Sequence, residues 1–434
     1  MDMVPVVVRS ASHVSAYRYL DYRRGTSPRF RVRLGPSSHL SSKMPSITNT
    51  WRLLSTLFRG LAVSASMYYI NYILFLSFRH SKYYVSCTLQ VKSSLFSTDA
   101  NVHQKNDQTP VTVADFGVQA LISFELNKLF PSIPLVAEED SAYLRSRNLA
   151  GSVLDAITAI DSPTSKPLTQ DDVLEAIDRG GEDAFLFGSE PATYWVLDPI
   201  DGTRGFVKAG KALYVVGLAL VVEGEIVAGV MGCPNWQEDF SKKSPAELEE
   251  VADMLSASGT IMIAHIGCGT WTKRLNSMPK LPSVWTRCFV DGSNLVQKAH
   301  FCIPDSQTWE SLPLSSSFNA TNNVDDVGDN QVLLLATCCG SLCKYLMVAS
   351  GRASVFILRA KEKTIIKAWD HAVGMICVHE AGGKITDWSG SEIDLAADQA
   401  GRRVIFPFGG VLVTNGCLHH QILEIISHST TSSL

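Results

Sequence analysis

The chain has 434 residues, of which 46% are hydrophobic and 18% are charged. This composition excludes a disordered chain, and at about 150 residues per domain the length predicts two or three domains. Thirteen Lys and Arg against two Asp give residues 1–98 a charge of +11, whereas the rest of the chain has 25 basic and 40 acidic residues. An acidic body argues against a nucleic-acid binder, because Lys and Arg supply affinity for phosphate backbones. It suits a protein that binds metal cations.

The amino-terminal segment has the composition of a targeting sequence. Residues 1–43 are rich in Arg and Ser and poor in acids, which is typical of an organellar transit peptide. The Arg content favours the mitochondrion, with the chloroplast as the alternative. Residues 60–78 are nineteen uncharged residues, long enough to span a membrane, but their Ser and Asn argue against membrane contact. We therefore assign residues 1–84 to targeting or to a non-core segment.

The folded body is predicted from about Cys87 onward. VTVADFGVQALISFELNKLF has apolar residues at helical spacing and ends before Pro131. LVAEED is a short apolar strand that ends in acids. YWVLDPIDGTRGF is a strand running into a turn, and the two apolar runs after it are joined by Glu223-Gly224, a hairpin signal.

The polar stretch SKKSPAELEE predicts a domain boundary. It divides the body into a metal-binding domain, residues 85–240, and a second domain, residues 241–434. In the second domain, CKYLMVASGRASVFILRA predicts a helix and then a strand, and AWDHAVGMICVHEAGG predicts an apolar helix. Helices and strands alternate irregularly, which favours α+β layers or a mixed α/β fold.

Two acids stand at the end of the strand YWVL. Asp198 ends the strand, Pro199 interrupts the ladder, and Asp201 precedes Gly202. Both carboxylates can therefore converge. Without a counter-charge such a pair repels and one pKa rises. A divalent cation removes the repulsion, and oxygen ligands suit magnesium.

Three further acids stand at the ends of predicted elements. Glu138 follows the strand LVA, Asp370 precedes an apolar helix, and Asp107 lies in a loop before the first helix. Together with Asp198 and Asp201 they could line a site for two or three metal ions. Each acid taken singly is more simply a helix cap or a solvated turn. We give that simple interpretation to three neighbouring acids: Asp115, Glu139 and Asp140.

The turn after Asp201 can bind an anion. Backbone amides at Gly202 and Thr203 can hold a phosphate oxygen, and the hydroxyl of Thr203 can hold a water. Two clustered metals would stabilise the attacking and leaving oxygens of a displacement at phosphorus. The residues thus indicate metal-assisted phosphate hydrolysis.

These segments resemble a known family. VAEED, WVLDPIDGTRGF and AWDHAVGMICVHEAGGKITD are similar, in order, to three signature segments of the magnesium-dependent, lithium-sensitive phosphatases that include inositol monophosphatases and fructose-1,6-bisphosphatases. KNDQTPVTVADFG, and DPIDGT followed by Arg204-Gly205-Phe206, resemble the 3′(2′),5′-bisphosphate nucleotidases, which convert adenosine 3′,5′-bisphosphate to AMP. The similarity runs from about residue 87 to 428. It implies a layered αβαβα sandwich and lithium-sensitive hydrolysis.

The resemblance also implies roles for individual residues. The magnesium ligands would be Glu138, Asp198, Asp201, Asp370 and the carbonyl of Ile200. The nucleophilic water would be oriented by Asp107 and Thr203, and the scissile phosphate would be bound by the amides of Gly202 and Thr203. The second phosphate and the ribose would be bound by Ser341, Lys344 and Arg359, since a bisphosphate carries a second anion to be paired.

Substrate recognition is where the sequence departs from the nucleotidases. AHFCIPDSQTWESL occupies the place of their His/Ser-rich loop that contacts the base. An inositol phosphate phosphatase, which needs no base pocket, is therefore the alternative. From another class, a noncatalytic nucleotide-binding relative is also open. We expect a monomer that acts on a small nucleotide bisphosphate, including its sulfonated precursor, and that binds no nucleic acid.

Overall fold

The computed structural model describes residues 102–104, 110–158, 167–207, 212–237, 259–275, 284–323, 330–335, 337, 339–361 and 365–431. The targeting segment, the apolar stretch 60–78 and Asp107 lie outside these residues. The described residues all belong to one compact unit, and none of their helices is long and apolar enough to cross a membrane. The boundary predicted after residue 240 falls between described segments and stays a prediction.

The helices of the described residues are α1 (Val113–Leu129), α2 (Ala142–Arg147), α3 (Ala150–Thr158), α4 (Gln170–Asp178), α5 (Thr203–Val207), α6 (Leu342–Ala349), α7 (Ala372–Glu380) and α8 (His419–Thr431). Three 3₁₀ turns span Val296–Lys298, Trp309–Ser311 and Pro313–Ser316. The predicted helix before Pro131 is thus confirmed as α1, and both helices predicted in the second domain are confirmed as α6 and α7.

The strands are β1 (Val102–Gln104), β2 (Pro110–Thr112), β3 (Leu135–Ala137), β4 (Tyr194–Asp201), β5 (Val215–Val222), β6 (Glu225–Cys233), β7 (Thr260–His265), β8 (Gly269–Arg274), β9 (Thr286–Cys288), β10 (His300–Cys302), β11 (Asn319–Thr321), β12 (Gln331–Leu334), β13 (Val355–Arg359), β14 (Ile366–Lys367), β15 (Lys384–Asp387), β16 (Val404–Ile405) and β17 (Gly410–Thr414).

The larger sheet has seven strands in the order β3-β4-β5-β6-β7-β8-β9. β3 runs parallel to β4, and the other neighbours are antiparallel. The turn between β5 and β6 is the predicted hairpin: Glu223 and Gly224 both have positive φ, at 51° and 86°, as tight hairpin turns require.

Alternate residues of β4 and β5 face opposite layers, as the two-residue period of a strand dictates. One face, which includes Trp195, Leu197 and Leu218, packs against α1, α3 and α4. The opposite face, which includes Val196 and Ala219, packs against α6 and α7.

The second sheet has six strands in the order β11-β12-β10-β13-β17-β15. Phe356 and Val413 on one of its faces share a core with α6 and α7. Ile357 and Leu412 on the other face pack against α8 with Ile422. The described residues therefore stack as helices, sheet, helices, sheet and helix, which confirms the expected αβαβα sandwich.

Candidate metal and active site

Asp198 and Asp201 lie on either side of a β-bulge at the end of β4. Asp198 pairs with Gly217 and Asp201 with Val215, so three steps along β4 match two steps along β5. The extra residue bends the strand, and both carboxylates turn toward the same point. Oxygens of these two carboxylates and of Asp370 all lie within 4.8 Å of one another.

The carboxylate of Asp201 is held by the start of α6, in the second half of the chain. The amide of Leu342 donates to its Oδ2 at 2.6 Å, and the amide of Ser341 donates to its Oδ1 at 3.2 Å. Gly340 precedes them with φ of +73°, and a Cβ there would overlap the Asp201 carboxylate. The orphan amides of a helix start thus hold an anion, as they commonly do.

Burial and mutual repulsion shape the titration of the three acids. Burial raises the pKa of Asp198 well above its usual range, and the charges of Glu138, Asp201, Asp370 and Asp115 add to the effect. Burial likewise raises the pKa of Asp370, with Asp201 and Glu138 contributing. These groups cannot all be ionised side by side without a counter-charge.

The donor set fits a hard divalent cation. Asp198 is 1% exposed, and among the described residues its Oδ1 has no hydrogen-bond partner. A buried, unpartnered carboxylate oxygen is costly unless a cation or a proton satisfies it. Three converging carboxylates are the oxygen ligands that magnesium prefers.

Glu138 stands beside this group through the pairing of two strands. β3 runs parallel to β4 with Ala137 opposite Leu197, so Glu138, which follows β3, comes beside Asp198 of β4. The predicted strand end at Asp198 is wrong, because β4 continues through the bulge to Asp201. Glu138 is half-buried, and its charge contributes to the raised pKa of Asp198. It lies outside the 4.8 Å group, and its role as a ligand stays a prediction.

Thr203 begins α5, immediately after the turn at Gly202. Its hydroxyl lies 3.1 Å from the carbonyl oxygen of Ile200 and 3.3 Å from Oδ1 of Asp115, both of which can accept its proton. The Ile200 carbonyl has a second lone pair for another partner.

The acid next to Thr203 is Asp115, which its sequence context predicted to be a helix cap or part of a solvated turn. Asp115 does cap α1: its Oδ2 accepts from the amide and hydroxyl of Thr112, both at 2.7 Å. Its Oδ1 faces Thr203 as well. Asp115 is therefore a candidate for the role predicted for Asp107, which is to orient the nucleophilic water together with Thr203. In the sequence, the signal at Asp115 is a Thr-x-x-Asp capping box at the start of the first helix. This signal marks Asp115 as a cap and does not indicate its contact with Thr203.

Lys344, one of the residues predicted to bind the second phosphate, faces the protein interior. Lys344 is 1% exposed. Its ammonium group donates to the carbonyls of Thr337 at 3.0 Å and Gly340 at 2.8 Å. Ser341 gives its amide to Asp201. These contacts do not support Lys344 as a phosphate ligand. They place a positive charge beside Asp201, where it lowers the pKa of that acid against the larger effect of burial.

Arg359 lies at the exposed end of β13. Its Nη1 donates to the carbonyl of Ser311 at 2.6 Å, and its backbone amide donates to Oε1 of Gln307 at 3.0 Å. The structure ties this guanidinium to the 3₁₀ turn at Trp309–Ser311. Its predicted contact with substrate stays a prediction.

The fold and the acidic site together define a family. A model of the inositol monophosphatase family matches residues 83–430, and the chain belongs to that family. The predicted resemblance is confirmed.

Named relatives narrow the comparison. The chain is 62% identical over 343 residues to an Arabidopsis thaliana protein provisionally named a mitochondrial 3′(2′),5′-bisphosphate nucleotidase, and the alignment covers 79% of this chain and 83% of that protein. It is 33% identical over 343 residues to the Arabidopsis thaliana 3′,5′-bisphosphate nucleotidase 2, covering 76% and 89%. The mitochondrial localisation in the first relative's name agrees with the localisation predicted from the Arg-rich amino terminus.

A solved structure also matches. The IMPase of Thermotoga maritima aligns with a TM-score of 0.48 and 19% identity, covering 82% of this chain and 98% of that one.

Proposed function

We propose that the chain is a magnesium-dependent phosphomonoesterase that removes the 3′-phosphate of adenosine 3′,5′-bisphosphate to give AMP. The observation that carries this proposal is the converging group of Asp198, Asp201 and Asp370, of which the first two are buried and the third is half-buried, with an unpartnered Oδ1 on Asp198. The nucleotide substrate is supported by the names of the relatives. The targeting segment would direct the enzyme to the mitochondrion.

Four acids and one carbonyl would hold two or three magnesium ions. They are Glu138, Asp198, Asp201, Asp370 and the carbonyl of Ile200. A bound divalent cation supplies positive charge that offsets these carboxylates and the developing charge on phosphoryl oxygens. Leu342 and Ser341 fix the carboxylate of Asp201, so this ligand would be held in place before a cation arrives.

Asp115 and Thr203 would orient the attacking water. When the Thr203 hydroxyl donates its proton to Asp115, its oxygen lone pairs are free to accept a hydrogen bond from a water. Asp115 would then hold the proton that the water gives up, with Thr203 between them. The amides of Gly202 and Thr203 would bind the scissile phosphate, next to that water. This assignment replaces Asp107 with Asp115 as the acid that accepts the proton of the Thr203 hydroxyl.

The proposal is tested by phosphate release from adenosine 3′,5′-bisphosphate, its sulfonated precursor and inositol 1-phosphate. We expect magnesium-dependent, lithium-inhibited release that is fastest with the adenosine bisphosphate. Faster release from inositol 1-phosphate would favour the inositol phosphatase. The absence of release from all three would favour a noncatalytic relative.

Asp201→Asn tests the metal assignment in the same assay. The amide oxygen of Asn still accepts from one of the helix amides, so we expect a folded protein with turnover reduced by at least about 1,000-fold. Asp387→Asn is the matched control, since Asp387 is a buried carboxylate that binds Ser389, Ser391 and Phe408 instead. Near wild-type turnover in Asp201→Asn would exclude the assignment.

A further inference from the structure

Arg403 has no place in the chemistry described so far, yet its backbone joins the segment that leads to Asp370. Its carbonyl accepts from the amide of Ala368 at 2.8 Å, and the next residue, Val404, pairs with Lys367 in the small sheet of β14 and β16. Its own amide donates to Oδ2 of Asp398 at 2.9 Å. The backbone of Arg403 is therefore fixed relative to the turn that carries Asp370.

The side chain of Arg403 reaches the strand that carries Glu138. Its Nη2 donates to the carbonyl of Ala137 at 2.6 Å, and its Nη1 donates to the carbonyl of Gly180 at 3.0 Å. The amide of Ala137 donates to the same Gly180 carbonyl at 2.9 Å. The planar fork of the guanidinium thus holds the end of β3 through two carbonyl groups.

The same guanidinium packs on the ring of Trp369, with its Cζ 4.9 Å from the ring centroid. Ala137 directly precedes Glu138, and Trp369 directly precedes Asp370. One side chain therefore contacts the immediate neighbours of two proposed ligands from distant parts of the chain. Burial lowers the pKa of Arg403, and four nearby acids act in the opposite direction: Glu182, Asp140, Asp398 and Glu138.

We infer that Arg403 is a positioning residue that sets the separation of Glu138 and Asp370 and thereby the metal affinity of the site. The inference rests on the proposed role of these two acids as ligands. A charge near the acids is not sufficient for this role, because the two carbonyl contacts and the stacking on Trp369 need a planar, bidentate group. Lysine would keep the charge and lose this geometry.

The neighbouring arginine provides a matched control. Arg402 also binds backbone carbonyls, those of Gly188, Glu190 and Ala396, at 2.6 to 3.0 Å, and its Cζ lies 5.8 Å from the ring of Phe187. It thus makes the same kinds of contact as Arg403. None of these contacts involves a residue adjacent to a proposed ligand.

The experiment measures direct binding of Mn²⁺ to the full-length protein, by the electron paramagnetic resonance signal of free Mn²⁺, with thermal melting alongside. Outer-shell substitutions typically weaken metal affinity about 10- to 100-fold. We expect Arg403→Lys to raise the Mn²⁺ dissociation constant at least tenfold, and Arg402→Lys to change it less than twofold even though both variants melt at a lower temperature. Should Arg403→Lys not fold, Arg403→Gln takes its place with the same expected result.

Two outcomes overturn the inference while leaving the proposed function intact: wild-type affinity in Arg403→Lys, or an equal loss in both variants. If the wild-type protein itself binds no Mn²⁺, the proposed metal-dependent function fails, and the inference fails with it.

Discussion

A single carboxylate at the start of α1 makes two kinds of contact. Asp115 uses Oδ2 to close the capping box with Thr112 and Oδ1 to meet Thr203. The capping contact is local and follows from the spacing of Thr and Asp along the chain. The contact with Thr203 joins residues 88 positions apart, so it exists only once α1 packs against the end of β4.

Replacement of Asp115 separates these two contacts. We expect Asp115→Asn to keep most of the cap, because the Asn oxygen still accepts from Thr112, and to lower kcat by about 100- to 1,000-fold through loss of the proton acceptor. Steady-state kinetics and thermal melting measure the two effects. Asp172→Asn is the control, since Asp172 closes an equivalent capping box with Thr169 at the start of α4. Equal kcat in the two variants would mean that Asp115 is a cap alone.

His419 makes the stability of the chain depend on pH. Its Nε2 and Nδ1 each lie 2.9 Å from a threonine hydroxyl, those of Thr386 and Thr414. Burial, with the charge of Lys384, lowers the pKa of His419 to about 4. Between pH 4 and pH 6.5, this histidine is protonated in more of the unfolded chains than of the folded ones. The stability that His419 contributes is therefore complete above pH 6.5 and is lost as the pH falls toward 4.

The measurement is the melting temperature from pH 7.5 to pH 4.5. We expect it to fall more steeply in the wild-type protein than in His419→Gln, whose amide keeps polar contacts with the threonines and does not titrate. Parallel curves for the two proteins would show that this histidine is not linked to folding.

At the scale of elements, the start of α6 connects the two sheets through Asp201. The strand that ends in acids, the turn at Gly202 and both apolar helices were predictable, because each follows from local spacing and from turn residues. The contact between Asp201 and the amides of α6 was not predictable, since it joins residues 141 positions apart. The inward orientation of Lys344 follows from the same packing.

Gly340 tests this connection. Its φ of +73° and the closeness of the Asp201 carboxylate make any side chain unfavourable there. We expect Gly340→Ala to cost about 1–2 kcal/mol of stability and to abolish Mn²⁺ binding, because the carboxylate must move. Gly351→Ala, just beyond the other end of α6, shares the backbone strain, with φ of +72°, but a Cβ there would meet backbone atoms of Phe289, Val290 and Asp291 and no carboxylate. Its Mn²⁺ affinity should be unchanged, and a loss there would mean that strain in α6 alone disturbs the site.

For the whole molecule, the sequence motifs and the resemblance they carry predicted the layered sandwich and the converging acids. They did not predict how Arg403 joins the two segments that carry the proposed ligands Glu138 and Asp370, because its partners are two backbone carbonyls and a ring. Every residue has a backbone carbonyl, so the sequence does not indicate which carbonyls will accept such hydrogen bonds. Such contacts can be found only after the chain is folded.

Metal binding should therefore stabilise the molecule as a whole. Three close carboxylates with raised pKa values, those of Asp198, Asp201 and Asp370, repel one another in the metal-free protein. A cation that binds only the folded state shifts the folding equilibrium by mass action. At 100 times the dissociation constant the gain is about 2.7 kcal/mol. We expect Mg²⁺ to raise the melting temperature of the wild-type protein and to have no effect on Asp198→Asn. An equal rise in both proteins would indicate binding elsewhere.

The grip of α6 on Asp201 also has a bearing on how the protein is made. Ribosomes release the amino terminus first, so β4 and its two aspartates emerge well before the helix that holds one of them and the turn that supplies Asp370. A half-synthesised chain contains the strand but lacks the amides of Ser341 and Leu342 that hold Asp201. The three converging carboxylates therefore come together late in synthesis, once the carboxyl-terminal half packs against the first.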